Sequence, residues 1–183
     1  MAKTILLSAG HSDSDPGVTT VLKDSRGVPV VIREEDIGTD MRNMVGFYLG
    51  AAGIAYRMDG AGKENLPLTT AAKIARTVNI ALEFHTNGVV NPAATGAEVL
   101  AGPKDMKLAA RVSAAIADAL GIRDRGAKPE NAGHHSKLAF VGAGGLIVEL
   151  FFLSNPDDLA RWNARKWLVA RAVADILIEE ARK

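Results

Sequence analysis

Cysteine is absent from all 183 residues, which excludes disulfides and thiolate metal sites. An excess of either charge is missing too: 22 Lys and Arg face 21 Asp and Glu, for a net +1. No basic stripe stands out, which argues against a dedicated nucleic-acid binder, although a small local patch can still favour an acidic polymer. No run approaches the ~20 apolar residues of a membrane span. The N-terminal "MAKTILLSAGHSDSD" has one Lys and a short apolar run, too short for the apolar centre of a signal peptide. The expectation is a soluble protein made in the cytoplasm without its own export signal. No internal repeat, low-complexity tract or linker interrupts the chain. With 48% hydrophobic and 23% charged residues, one domain with a full core is expected.

Short apolar runs alternate with helical patterns. Thr4–Ala9 reads as a first strand, and a long connection with two turn signals follows, within which "VPVVI" is a candidate strand. From Asp36, Ile37, Met41, Met44, Val45, Tyr48 and Leu49 keep helical spacing up to a stop at Gly53. "IAYRM" is a strand, Thr69 or Thr70 caps a short helix, and "NIALEF" and "GAEVLAG" are strands. Lys104–Leu120 is an Ala-rich helix ended by Gly121. "RDRGAKPENAGHHSK" reads as a polar connection before "LAFVG" and the strand "LIVELFFL". Asn155-Pro156-Asp157-Asp158 opens the closing helices, with Trp162, Trp167 and Val173 as core contacts. The expected class is a single α/β domain, a mostly parallel twisted sheet with helices on both faces.

Two features carry chemistry. Glu149 stands inside the apolar run "LIVELFFL", and a buried carboxylate needs a partner, a changed protonation state or a job, unless it points to a solvated face. Of the four histidines, His11 follows the first strand and His85 follows "NIALEF". Open α/β sheets bind ligands outside the carboxyl ends of their strands, so the two rings can share a metal, with Glu34 or Glu35 as a third ligand. His134-His135, in a Gly-flanked polar loop, reads as exposed. On residue chemistry alone the result is an α/β protein with a candidate metal site.

These same stretches resemble the zinc-dependent N-acetylmuramoyl-L-alanine amidases, which cleave peptidoglycan. "AGHSDSDPG" is similar to that family's Ala-Gly-His-Gly-Gly-x-Asp-Pro-Gly, "REEDI" to its Glu-x-Asp-Leu, and "FHTN" to its Ile-His-Ala-Asn. "TGAEV" is similar to its Gly-x-Glu-Val, "VELFFLSN" to its Val-Glu-x-Gly-Phe-Leu-Ser-Asn, and "YRMD" to a Thr-Arg-x-x-Asp stretch. The matches keep the family's order over nearly the whole chain. Ser12-Asp13 stands where the family has a Gly pair, and Phe151 where it has Gly, departures that bear on local backbone and substrate fit.

The resemblance implies one Zn²⁺ per chain held by His11, Glu34 and His85, with Glu149 as the catalytic carboxylate. Its spacing to Asp36 and Ile37 favours Glu34 over Glu35. Asn87 and Glu98 are weaker substrate-binding candidates, while Arg123, Arg125 and Lys137 read first as a solvated charged loop and second as partners for the peptide's carboxylates. The implied reaction is hydrolysis of the amide between N-acetylmuramic acid and L-alanine. Peptidoglycan is then the partner, with the protein a monomer that acts on the cell wall. Residues 1–183 form the catalytic domain with no separate wall-binding domain, and the lack of a leader suggests a bacteriophage endolysin exported by another protein. Two alternatives stand beside this: another zinc-dependent amide hydrolase, such as a peptidase or deacetylase, and a non-catalytic wall- or nucleotide-binding module. "VGAGGL", the one candidate phosphate loop, precedes a strand instead of a helix and fails its contextual test.

Overall fold

The most apolar stretches become the inner strands of one sheet. In the computed structural model, which describes residues 3–12, 14–132 and 137–183, β1 (Ile5–Ala9) is buried along its whole length. Next to it lies β5 (Ile80–Asn87), and next to that β8 (Leu146–Phe152). The outer strands are β4 (Tyr56–Met58) on one side, then β6 (Ala97–Ala101) and β7 (Asp124–Pro129) on the other, giving the order β4-β1-β5-β8-β6-β7. All neighbours are parallel except β6 and β8. The expected α/β domain with a mostly parallel sheet is what the chain forms.

The two faces of the sheet are covered unequally, and this sets where a site can open. On one face α1 (Glu34–Ala51), α3 (Met106–Leu120) and α5 (Pro156–Ala181) pack over Leu7, Leu82, Phe84, Val148 and Val99. On the other, only α2 (Leu68–Ala75) and α4 (Ala139–Gly142) close over Leu6, Ala81 and Ile147. Side chains alternate along a strand. Ala81, Glu83, His85 and Asn87 therefore share the thinly covered face of β5, and Ile147 and Glu149 share it on β8. Among the described residues, these two short helices leave the upper part of that face open.

Several expectations need correction. The candidate strand "VPVVI" forms β3 (Pro29–Arg33), but the long connection after β1 also contains β2 (Thr19–Lys23), which was not expected and pairs with it as an antiparallel hairpin. β7 replaces part of the expected polar connection; being an edge strand with a bulge, it needs no apolar alternation. The short helix starts at Leu68 after Pro67, so Thr69 and Thr70 lie inside it and make no cap. β5 runs three residues beyond "NIALEF", which places His85 and Asn87 in the strand instead of after it. Glu149 is central in β8, as its place inside "LIVELFFL" implied. The closing helices are one helix of 26 residues. Trp162 and Val173 enter the core, but Trp167 is 53% exposed. Five residues from Trp162 at ~100° per residue, it lies about 140° round the helix. His134 and His135 fall outside the described residues.

The start of α5 holds the site's far edge. Asn155 caps the helix by accepting from the backbone N–H groups of Asp157 and Asp158, and its own amide donates to the Ala94 carbonyl. Asp158, buried, accepts from Thr95 Oγ1 and from the Phe152 and Gly96 amides, tying β8 to the entrance of β6. Asn155→Ala should cost about 0.5–2 kcal/mol, the range measured for such caps, and lower the melting temperature by a few degrees. An unchanged melting temperature would show that the cap adds nothing beyond what water supplies.

Candidate metal centre

Glu34 is the first residue of α1 and is buried. Both of its oxygens are committed: Oε2 accepts the Val18 N–H at 2.8 Å, and Oε1 accepts the Thr86 N–H at 2.9 Å. His11 Nε2 lies 3.2 Å and His85 Nδ1 3.0 Å from the same Oε1. The two rings meet edge to face with centroids 5.0 Å apart. One donor atom from each of His11, Glu34 and His85 lies within 4.8 Å of the others. The neighbouring Glu35 instead turns its carboxylate to Arg33.

The backbone is shaped for this convergence. His11 has φ 65°, a left-handed conformation uncommon for a residue with a side chain, which aims its ring back over the sheet. A Cβ at Gly10 would fall 2.2 Å from the His85 ring, so only glycine lets that imidazole lie against the strand end. Gly17 has φ 66°, and a Cβ there would meet Glu34 Oε2 at 2.5 Å.

Each imidazole is held from behind by a carboxylate: His11 Nδ1 lies 3.2 Å from Asp15 Oδ2, and His85 Nε2 lies 3.1 Å from Glu83 Oε1. Glu83 was missed in the sequence. It was legible by the argument applied to Glu149, an acid inside an apolar strand, strengthened by its i, i+2 relation to His85. Asn65 was missed as well. Its amide donates to the carbonyls of Gly10 and His11, and no sequence pattern marks it.

The electrostatics follow from these contacts. Burial alone would raise Glu34, but hydrogen bonds from His11 and His85 hold it down at about 2. The hydrogen bond to Glu34 raises His11, against burial. Burial pulls His85 down, yet Glu34 and Glu83 outweigh it and lift the ring well above its ordinary value. Glu149 goes the other way. Burial pushes it up to about 7, the Glu34 and Glu98 carboxylates adding to the rise while His85 and His11 oppose it. It pairs in register with His85 across β5–β8, and its Oε2 is shielded without a hydrogen-bond partner among the described residues.

These groups line a cleft of about 590 Å³, with His11, Glu34, His85 and Glu149 on its floor and Leu100, Leu138 and Ile147 on its walls. Asn87 and Glu98 are not at the cluster itself. The Asn87 amide donates to Glu98 Oε1, and Glu98 Oε2 takes Arg125 and Lys128.

The donor set fits a divalent cation. Zinc bonds of about 2.0–2.2 Å place neighbouring ligand atoms roughly 3.3–3.6 Å apart in a tetrahedron. The 3.0 and 3.2 Å separations around Glu34 Oε1 are close to that. The imidazoles also have the outer carboxylate partners that metal-binding histidines need.

Comparison with known proteins bears on the family and the fold. The family profile described as N-acetylmuramoyl-L-alanine amidase matches residues 5–179. The chain is similar to the structure of a candidate N-acetylmuramoyl-L-alanine amidase from Neisseria meningitidis, with 42% identity over 97% of this chain and 95% of that one, at a TM-score of 0.84. The fold is shared with the catalytic domain of CwlV, an N-acetylmuramoyl-L-alanine amidase from Bacillus (Paenibacillus) polymyxa var. colistinus. That pair is 22% identical over 97% of each chain, at a TM-score of 0.79. It is shared also with the amidase AmiC2 of Nostoc punctiforme, 19% identical over 99% of this chain and 98% of that one, at 0.79. No curated protein sequence is matched. By the match along its length and the likeness to the Neisseria structure, this chain belongs to the N-acetylmuramoyl-L-alanine amidase family.

Proposed function

We propose that this chain hydrolyses the amide between the lactyl group of N-acetylmuramic acid and L-alanine in peptidoglycan, with a Zn²⁺ held by His11, Glu34 and His85 and with Glu149 as the proton-transfer group. One observation carries this. In a chain of this family, a His₂Glu donor set and a carboxylate with raised proton affinity share one cleft on adjacent strands. A zinc ion bound to such a set supplies Lewis acidity toward an amide carbonyl and toward water.

The chain's own residues do the rest. A carboxylate near pKa 7 can both accept and return a proton at neutral pH. Glu149 takes the proton of the attacking water as the carbonyl carbon becomes tetrahedral. It then delivers that proton to the alanine nitrogen as the C–N bond breaks. Asp15 and Glu83 fix the tautomer and ring plane of the two imidazoles. Leu100, Leu138 and Ile147 keep the floor poorly hydrated, which sustains the proton affinity of Glu149. Mass spectrometry of digested peptidoglycan tests the assignment: the products should be intact glycan strands and peptides with a free L-alanine amine. Cleavage inside the peptide, or loss of acetyl groups, would point to a different amide hydrolase.

Protein purified without added metal should contain about one zinc per chain. His11→Ala, His85→Ala and Glu34→Ala should each lose it, while Glu35→Ala should keep it. Zinc lost from the Glu35 variant and kept in the Glu34 variant would reverse the ligand assignment.

Glu149→Gln keeps size but cannot carry the proton. Turnover should fall by ~10²–10⁴, the range for removing a general acid–base group. Zinc content and melting temperature should stay near those of the parent. An active, zinc-loaded Gln variant rules out the role given to Glu149.

Metal uptake should also release protons. Without metal, their carboxylate neighbours make both histidines bind a proton more readily than free imidazole, whereas ligation requires the neutral ring. Apparent zinc affinity should therefore rise with pH until the histidines are neutral and level off above that. Calorimetric zinc titrations in two buffers of different ionisation enthalpy read the effect directly; identical heats in both would contradict it.

A further inference from the structure

β7 brings two cations to the edge of the catalytic cleft by means of a bulge. Ala97 pairs with Asp124 but Glu98 pairs with Gly126, so Arg125 is the extra residue, and Gly126 takes φ 77°. In a regular strand, residues three apart face opposite sides. With the extra residue inserted, Arg125 and Lys128 turn to the same side, and both reach Glu98 Oε2, at 2.5 and 2.6 Å. Glu98 itself stands opposite Glu149 across β6–β8.

A buried carboxylate needs only one cation, and here two converge, leaving a local charge of +1. Neither is used up. Among the described residues Arg125 spends only Nε, and Lys128 spends one of its three protons. The Arg125 guanidinium is braced over the Phe152 ring, 5.0 Å from its centroid. Both side chains remain accessible, at 28% and 30%. They open into a groove of about 330 Å³ whose walls Asn87 and Leu100 also belong to the metal cleft, so the two spaces adjoin.

From these contacts we infer that Arg125 and Lys128, anchored on Glu98, form a carboxylate subsite for the peptide half of the substrate, one residue beyond the L-alanine. The assignment rests on the amidase reading for what occupies the cleft. Spacing favours that residue: Glu98 is one strand from Glu149, about 4.8 Å, and one peptide residue spans about 3.3–3.6 Å. Arginine presents a planar pair of donors to a carboxylate, and lysine adds a point charge.

The probes are two synthetic N-acetylmuramoyl dipeptides with L-alanine first, identical except for a free α-carboxylate or a carboxamide on the second residue. Calorimetry on the Glu149→Gln protein reads binding without turnover. The acid should bind about tenfold more tightly than the amide, the effect of one charge-assisted contact. Adding Arg125→Gln or Lys128→Gln should bring that ratio toward one. In the otherwise unaltered enzyme, Arg125→Gln should raise KM for the acid more than it lowers kcat. If the cations merely neutralise Glu98, both ligands weaken alike and the ratio holds, which overturns the subsite; so does equal binding of acid and amide at the outset. Failure to release L-alanine peptides from peptidoglycan would instead overturn the amidase reading, while the binding ratio still decides the subsite.

Discussion

A carboxylate out of contact with water is stable only when its oxygens are occupied, and Glu34 meets that condition by joining segments distant in sequence. It accepts the amide of Val18 from the segment before the hairpin and the amide of Thr86 from β5, and both histidine rings turn toward it. Remove that side chain, and the buried Thr86 N–H, the half-buried Val18 N–H and two imidazoles lose their common acceptor. Position matters as much as chemistry. As the first residue of α1, Glu34 lies at the positive end of the helix dipole, which favours its ionised form without any metal. The geometry of the proposed metal centre thus depends on the folding of α1 onto the sheet.

Beneath the histidines lies a second layer of buried charge. Arg42 donates to Asp59 at 2.8 Å, Ser8 Oγ lies 2.7 Å from Asp59 and 3.2 Å from Glu83, and Glu83 faces His85. Arg42, Asp59 and Ser8 are wholly inaccessible. Such a network is costly to assemble and more costly to break, because removing one member strands the others. Its effect on the site is orientational. The plane of His85 is set by a chain of contacts reaching back into the interior, while His11 is held by Asp15 at the surface. The two rings thus differ in freedom, His85 fixed from below and His11 from the rim.

The inner strands, the long helices and the cap of α5 were legible because each is a local pattern: an apolar run, a 3.6-residue period, an Asn-Pro-Asp-Asp start. β3 was legible as "VPVVI", but its partner β2 and the edge strand β7 were not, since a hairpin strand standing off the core and a bulged edge strand carry no apolar alternation to read. The proposed ligands were legible through family resemblance, and from residue chemistry only as candidates. Strand boundaries were the weak point. Ending β5 at Phe84 hid that Glu83, His85 and Asn87 share one face, and with it the carboxylate behind His85. Phe151, which replaces a glycine of the family pattern, is fully buried and stacks on Trp162 with centroids 5.5 Å apart. Its ring points into the core beneath the three long helices, so the departure alters packing there and leaves the cleft wall alone.

Unequal cover of the two sheet faces explains why charge can collect here. Under α1, α3 and α5, a row such as His85, Glu149 and Glu98 on three adjacent strands would be sealed from water with no room for partners. Under α2 and α4 the same row lies at the end of the cover, where walls of Leu100, Leu138 and Ile147 thin the solvent without excluding it. That intermediate setting separates the carboxylates: with hydrogen-bond partners Glu34 stays near 2 and Glu98 below its ordinary value, while burial lifts Glu149 to about 7 against the pull of His85 and His11. Three acids within two strand spacings therefore differ in proton affinity because of what stands beside each, and the one whose Oε2 has no hydrogen-bond partner among the described residues is the one able to exchange a proton at neutral pH.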